Sequence, residues 1–166
     1  MSSGPHLPLP PARGLLSAVR VAALLALSAA AFSGCDASTV EPELDSEVQA
    51  FVSLVNDHRV AIGCPRLIWN DEVAEVPRAH SQDMVDRDFF AHTNPDGDSP
   101  ADRLRDAGID YRRMAENIAH GYGTGAAVLD GWLGSSGHRA AIENCQLLEH
   151  GVAVVGSHWT HLFVTL

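Results

Sequence analysis

Gly151-Val152-Ala153-Val154-Val155-Gly156-Ser157-His158-Trp159-Thr160-His161-Leu162-Phe163-Val164-Thr165-Leu166 is the stretch that decides the fold class. Gly151 to Val155 is a compact β-branched run, and Trp159 to Leu166 alternates as a strand does. Gly156-Ser157 between them is a two-residue turn signal, so the end of the chain reads as a hairpin. Upstream the period lengthens. Val48, Phe51, Val52, Val55 and Ile62 recur at three-to-four spacing with Asn56, Asp57 and Arg59 between them, which predicts an amphipathic helix from Ser46, a possible cap, to Ile62. Gly63 and Pro65 end it. A second helix is expected from about Asn70 to Asp88, kinked at Pro77 or regular only from there. Ser99-Pro100 opens a short third helix that stops at Gly108, and Thr124 caps a fourth carrying Val128, Leu129 and Trp132. Extended pieces are expected near Leu67-Ile68 and from Glu116 to Ala119. Helices early and strands late give an α+β class with an antiparallel sheet.

Working outward, 166 residues with 46% hydrophobic and 19% charged suit one globular domain and exclude a disordered or fibrous chain. There is no lysine, and 11 arginines stand against 21 acids, a net charge of -10. That balance leaves no basic face for nucleic acid. No acid precedes Asp36, whereas Arg13 and Arg20 do, so from residue 35 onward the charge is 9 − 21 = −12.

The first 34 residues therefore have a chemistry of their own. Arg13 and Arg20 precede an apolar run from Val21 to Ala31 built of Val, Ala, Leu and Ser, the form of a secretory signal. The run is too short for a membrane span, which needs about 20 apolar residues. Phe32-Ser33-Gly34-Cys35 resembles the lipobox of bacterial lipoproteins, in which the cysteine is lipidated. The alternative is a plain signal cleaved near Ala30 or Gly34, leaving Cys35 free or paired. The domains are thus a lipoprotein signal over 1–34, an acidic tether over 35–45, and one folded domain over 46–166. Lipid on Cys35 would anchor the domain to a bacterial membrane outside the cytoplasm. Cys64 and Cys145 remain, and an oxidising compartment favours their pairing over two buried free thiols. Neither has a second Cys or His at short metal-ligand spacing, which argues against a zinc site made from them.

Nine histidines in an acidic chain are the main functional clue, because imidazole is both a metal ligand and a group that titrates near neutrality. His6 lies in the signal, His58 and His80 on helix faces, and His120 and His150 beside glycines; each reads as a solvated or hydrogen-bonded residue. His92, His138 and His158 are more suggestive. Glu116 enters an otherwise apolar segment, Ala115-Glu116-Asn117-Ile118-Ala119, and a carboxylate buried there needs a hydrogen-bonding or cationic partner.

In order along the chain, Asn56-Asp57-His58-Arg59, Leu67-Ile68-Trp69-Asn70, Ala79-His80-Ser81, Phe90-Ala91-His92, Ala115-Glu116-Asn117-Ile118-Ala119, Trp132 with Gly137-His138-Arg139, and Trp159-Thr160-His161-Leu162-Phe163 resemble the CAP superfamily. That superfamily holds cysteine-rich secretory proteins, antigen 5 and pathogenesis-related 1 proteins, and the likeness is to its bacterial exported branch, over about residues 51 to 165. The resemblance implies a three-layer α-β-α sandwich with a central antiparallel sheet and a shallow cleft. In the wider family the cleft holds two histidines and two glutamates, and some members bind a divalent metal. The first histidine carries over to His92, the first glutamate to Glu116 and the second histidine to His158. The second glutamate falls at Ser135, so that carboxylate is missing; His138 belongs to the bacterial motif and is expected to line the same cleft.

His92 and His158 could offer two nitrogens to Zn2+, with Glu116 orienting one of them or activating a water, a weak and exchangeable site. Alternatively Glu116, His92 and His138 form a structural hydrogen-bond network. The function expected is an envelope-facing binding module, monomeric, taking a metal, a lipid or a glycan in its cleft. A metal-assisted peptidase with Glu116 as general base is an alternative, weakened by the missing glutamate and by the lack of a nucleophile in a triad-like setting. An interaction module with a vestigial cleft, docking on another envelope protein, is the third.

Overall fold

Asp45 begins the part of the chain that the computed structural model describes, residues 45–166. The export signal, the lipidation of Cys35 and all but the last residue of the tether lie outside the described residues. The Asp45 carboxylate, not the Ser46 hydroxyl, caps the first helix, accepting from the Glu47 amide at 2.8 Å. Ser46 is already helical, and the cap must sit one residue outside.

From that cap the order is α1 (Ser46–Ala61), β1 (Ile68–Trp69), α2 (Asp71–Asp86), α3 (Pro100–Asp106), β2 (Arg113–His120), α4 (Gly125–Gly134), α5 (Ser136–Ile142), β3 (Glu149–Val155) and β4 (His158–Thr165). The hairpin forms as expected, with Gly156 at φ 59° in its turn. The strands order β1-β3-β4-β2. The sheet departs from the expected antiparallel one at its edge, where Ile68 and Trp69 run parallel to Glu149 and His150. The long connection from β1 through α2, α3, β2, α4 and α5 returns the chain to the same end of the sheet, as a parallel pair requires. β2 and β4 are antiparallel, with Glu116 opposite Leu162 and His120 opposite His158.

Alternation along β4 builds the three layers. Trp159 and Phe163 join Phe51 of α1, Leu129 and Trp132 of α4 and Ile142 of α5 on one face. Leu162 and Val164 join Val73 and Val76 of α2 and Leu104 of α3 on the other. α2 runs unbroken through Pro77 from its Asn70 cap, so the proline neither starts nor ends it. Pro77 is buried, and the packing of that face offsets the hydrogen bond the ring lacks. The α3 cap is reciprocal: the Ser99 hydroxyl accepts from the Asp102 amide, and the Asp102 carboxylate accepts from the Ser99 amide. Gly151 lets β3 approach α2 so closely that a Cβ there would collide with the backbone of Ala74.

Two polar residues of α1 that read as its solvated face are buried. Asn56 accepts from the Leu67 amide at 2.6 Å and donates to its carbonyl at 3.2 Å, fixing the approach to β1. Arg59, with no exposed surface, donates to the carbonyls of Pro65, Ile142, Asn144 and Leu147. Cys64 and Cys145 are joined in a disulfide beside it, closing a loop of sequence separation 81.

Candidate functional site

β2 is an edge strand, so side chains from both of its faces reach one cleft. Ala115, Glu116 and Asn117 line a cavity of about 440 Å³ together with His92, Ser135 and His138. The local folding of each wall follows from short polar interactions. The loop bearing His92 is pinned at both ends: His80 of α2 donates from Nε2 to the Ala91 carbonyl at 2.9 Å, and Arg103 of α3 donates to the carbonyls of His92 and Asp98. Within the loop the Asn94 side chain accepts from the amides of Asp96 and Asp98, closing a turn. The opposite wall is α5, a seven-residue helix with no side-chain cap. Its N-terminal side presents Ser135 and His138, and Asn117 of β2 donates to the His138 carbonyl at 3.1 Å.

Glu116 is the charge centre of the cleft. Its side chain is 2% exposed. One oxygen accepts from His92 Nδ1 at 2.8 Å, and the other from Arg103 at 2.7 Å. The partner demanded of a buried carboxylate is therefore present twice, as a neutral or cationic donor and as a guanidinium. The bond through Nδ1 leaves Nε2 of His92 as the outward nitrogen, with no hydrogen bond to the described residues. His138 shares the cavity; burial, and then the neighbouring His92, hold its imidazole below the usual histidine range. Its ring makes no hydrogen bond to the described residues, so the expected network of Glu116, His92 and His138 is replaced by one of Glu116, His92 and Arg103. Arg103 sits among alternating charges in Asp102-Arg103-Leu104-Arg105 and reads as surface; the only signal was that Glu116 required some cation.

His158 is placed elsewhere. It stacks on His120, rings 4.1 Å apart at 15°, and Phe90 lies 6.4 Å from it. The register explains this: His158 stands opposite His120, four residues along β2 from Glu116, about 13 Å at strand rise. The two histidines proposed for zinc do not line the same cavity: His92 lines the first, and His158 lines neither that one nor its neighbour. Among the described residues, no group of three or more His, Cys, Asp or Glu side chains is placed to hold a metal ion. A second cavity, of about 330 Å³, takes in Phe90, His120, Tyr122 and Trp132, and Ser135 and His138 line it as well. The two remaining buried histidines, His150 and His161, bond to each other inside the core, away from both cavities.

A family model described as CAP, the cysteine-rich secretory protein family, matches residues 52–165. The chain is 37% identical over 113 residues to the uncharacterized membrane protein YlbC of Bacillus subtilis, covering 68% of this chain and 33% of that protein. It is 38% identical over 115 residues to YkwD of the same organism, covering 68% of this chain and 45% of that one. It thus spans less than half the length of these curated relatives. Among solved structures, an extracellular protein containing an SCP domain from Bacillus anthracis superposes with a TM-score of 0.70 at 34% identity, over 72% of this chain and 40% of that one. An outer surface protein of Borrelia burgdorferi gives 0.68 at 18% identity, over 72% of this chain and 92% of its own, and shows the shared fold alone.

Proposed function

The chain belongs to the cysteine-rich secretory protein family, and from that premise we propose that it is an extracytoplasmic binding module held to a bacterial membrane by lipid on Cys35. Its cleft takes a ligand by hydrogen bonds from His92, Ser135 and His138. The observation that carries the reading is the 2.8 Å bond from His92 Nδ1 to Glu116, with Arg103 on the second carboxylate oxygen. A buried carboxylate held by a guanidinium fixes the ring and its tautomer, which turns Nε2 outward as a ready acceptor. The Phe32-Ser33-Gly34-Cys35 motif supports export and anchoring, as do an extracellular relative in Bacillus anthracis and a membrane relative in Bacillus subtilis. No helix among the described residues is long and apolar enough to cross a membrane.

Histidine side-chain NMR of the full chain tests the cleft against small glycans, lipids and divalent metals. Saturable movement of the His92 and His138 signals, abolished in Glu116→Gln, is expected; imidazoles that no compound moves would sink the reading. Zinc titration calorimetry should show no one-to-one site lost in both His92→Ala and His158→Ala. Cys35→Ala should move the protein from the membrane fraction to the soluble one, and retention would overturn lipid anchoring.

A second reading rests on the same bond. An imidazole whose Nδ1 proton is held by a carboxylate can accept a proton at Nε2 from water, which is the general-base half of a hydrolase. Cleavage of envelope peptides lost in Glu116→Gln at unchanged melting temperature would support it; no cleavage by the wild-type chain would end it.

A further inference from the structure

The two cavities are continuous in their walls. Ser135 and His138 line both, so the cleft runs from His92 and Glu116 past these two residues to Phe90, His120 and Tyr122. Its two ends differ in chemistry. The first offers hydrogen-bonding groups with no partner among the described residues, Nε2 of His92, the Ser135 hydroxyl and the His138 ring. The second is aromatic: Phe90, half exposed, lies 6.0 Å from the His120 ring and is tilted 40° to it, and His120 is itself stacked on His158. An exposed phenyl beside a stacked pair of imidazoles offers its own face to a planar or weakly apolar ligand face.

Charge narrows the ligand further. Glu116 is the one carboxylate lining either cavity, no arginine lines either, and Arg103 neutralises Glu116 from behind. Burial first, and then neighbouring His92, lower the pKa of His138, which lines both cavities. The cleft thus presents no unpaired carboxylate or guanidinium in a chain of net charge -10. An ionic ligand would lose hydration there without meeting a counter-charge. A ligand of many hydroxyls, with one flat CH-rich face and no charge, loses little and gains at both ends.

Resting on the binding-module reading above, we infer that the cleft is a two-part site for a neutral glycan. One sugar ring stacks at the Phe90 and His120 end, and the hydroxyls of the next unit bond to His92, Ser135 and His138. Because the two subsites share a wall, the ligand must be an oligosaccharide rather than a single sugar.

The test is titration of the full chain, in a zwitterionic detergent without a sugar headgroup, with a neutral N-acetylglucosamine trimer and separately with the monomer. Anionic muramyl dipeptide is the charged comparison. The expected result is one-to-one binding of the trimer at least tenfold tighter than of the monomer, with NMR shifts at both His92 and His120. Phe90→Ala should weaken the trimer tenfold or more and Phe90→Tyr should restore it; Phe90 is exposed, so neither change threatens folding. Trimer binding that ignores Phe90→Ala, or shifts confined to His92, would overturn the two-part site while leaving cleft binding intact. Binding of muramyl dipeptide without the trimer would overturn the neutral-glycan class and again leave cleft binding intact. If neither sugar binds while a lipid or metal moves His92, the glycan inference fails alone; if nothing moves His92, both fail.

Discussion

His150 Nδ1 and His161 Nε2 lie 2.9 Å apart on the neighbouring strands β3 and β4, and neither residue has exposed surface. Phe51 and Phe163 pack on the His161 ring, and the outer nitrogens, His150 Nε2 and His161 Nδ1, have no partner among the described residues. One ring donates and the other accepts, so the bond needs at least one neutral ring, and burial disfavours even the first added proton. Burial first, and then the charge of Arg59, push His150 down to about 4; burial, His150 and Arg59 hold His161 well below its usual value. A lowered folded pKa means that the unfolded chain binds more protons, so stability is whole above pH 6.5 and is lost as pH falls toward 4. For His150 the full loss is about 3 kcal/mol. His80, His138 and His158 are also lowered and act in the same direction. Melting temperature should therefore fall steeply between pH 6.5 and 4.5, and more shallowly in His161→Gln. An unchanged midpoint from pH 7 to 5 would refute this.

Arg103→Leu strips the guanidinium from a carboxylate that is 2% exposed. Removing one partner of a buried ion pair costs about 3–5 kcal/mol. The same change frees the carbonyls of His92 and Asp98, so the loop should loosen as well. Urea unfolding checks the first effect, and amide exchange at residues 92 to 98 the second. A loss below about 1 kcal/mol would show that Glu116 finds water in its place.

Reduction of the bond between Cys64 and Cys145 releases a loop of sequence separation 81. The chain-entropy account puts its contribution at about 4.5 kcal/mol. The melting temperature should drop sharply under reductant and equally in Cys64→Ser with Cys145→Ser. Equal midpoints with and without reductant would mean that the unfolded chain gains no freedom from the cut.

Gly151→Ala places a methyl against the Ala74 backbone, where no side chain can rotate away. Backbone must move against the sheet, and a loss of about 1–3 kcal/mol is expected from overpacking, at the upper end here because the neighbour is main chain. Chemical denaturation measures it. Gly134→Ala, which meets nothing, is the matched control.

Much of this architecture can be read along the chain, because period, caps and turns are local. The hairpin at Gly156, the caps at Ser99 and Thr124 and the pairing of the two cysteines all follow from neighbours in sequence or from compartment. What escapes is set by distant packing. Asn56 and Arg59 look like solvated helix residues, and only the carbonyls of Pro65, Leu67, Ile142 and Leu147 make them core. Pro77 overrides its own propensity because its face is buried. In the cleft, His92, Glu116, Ser135 and His138 come together as read, but His158 does not join them. The four-residue stagger between Glu116 and His120 on β2 is a matter of register, which a motif string does not contain.

The Cys64–Cys145 bond also bears on survival under proteolysis. His92, Glu116, Ser135 and His138 all fall within the segment it closes, as does the exposed turn at Thr93 to Gly97. A nick in that turn would leave two peptides held by sulfur, by the α3 contacts to the loop and by the pairing of β1 with β3. Such a cut chain would run as two bands only after reduction, and until then would keep its cleft assembled.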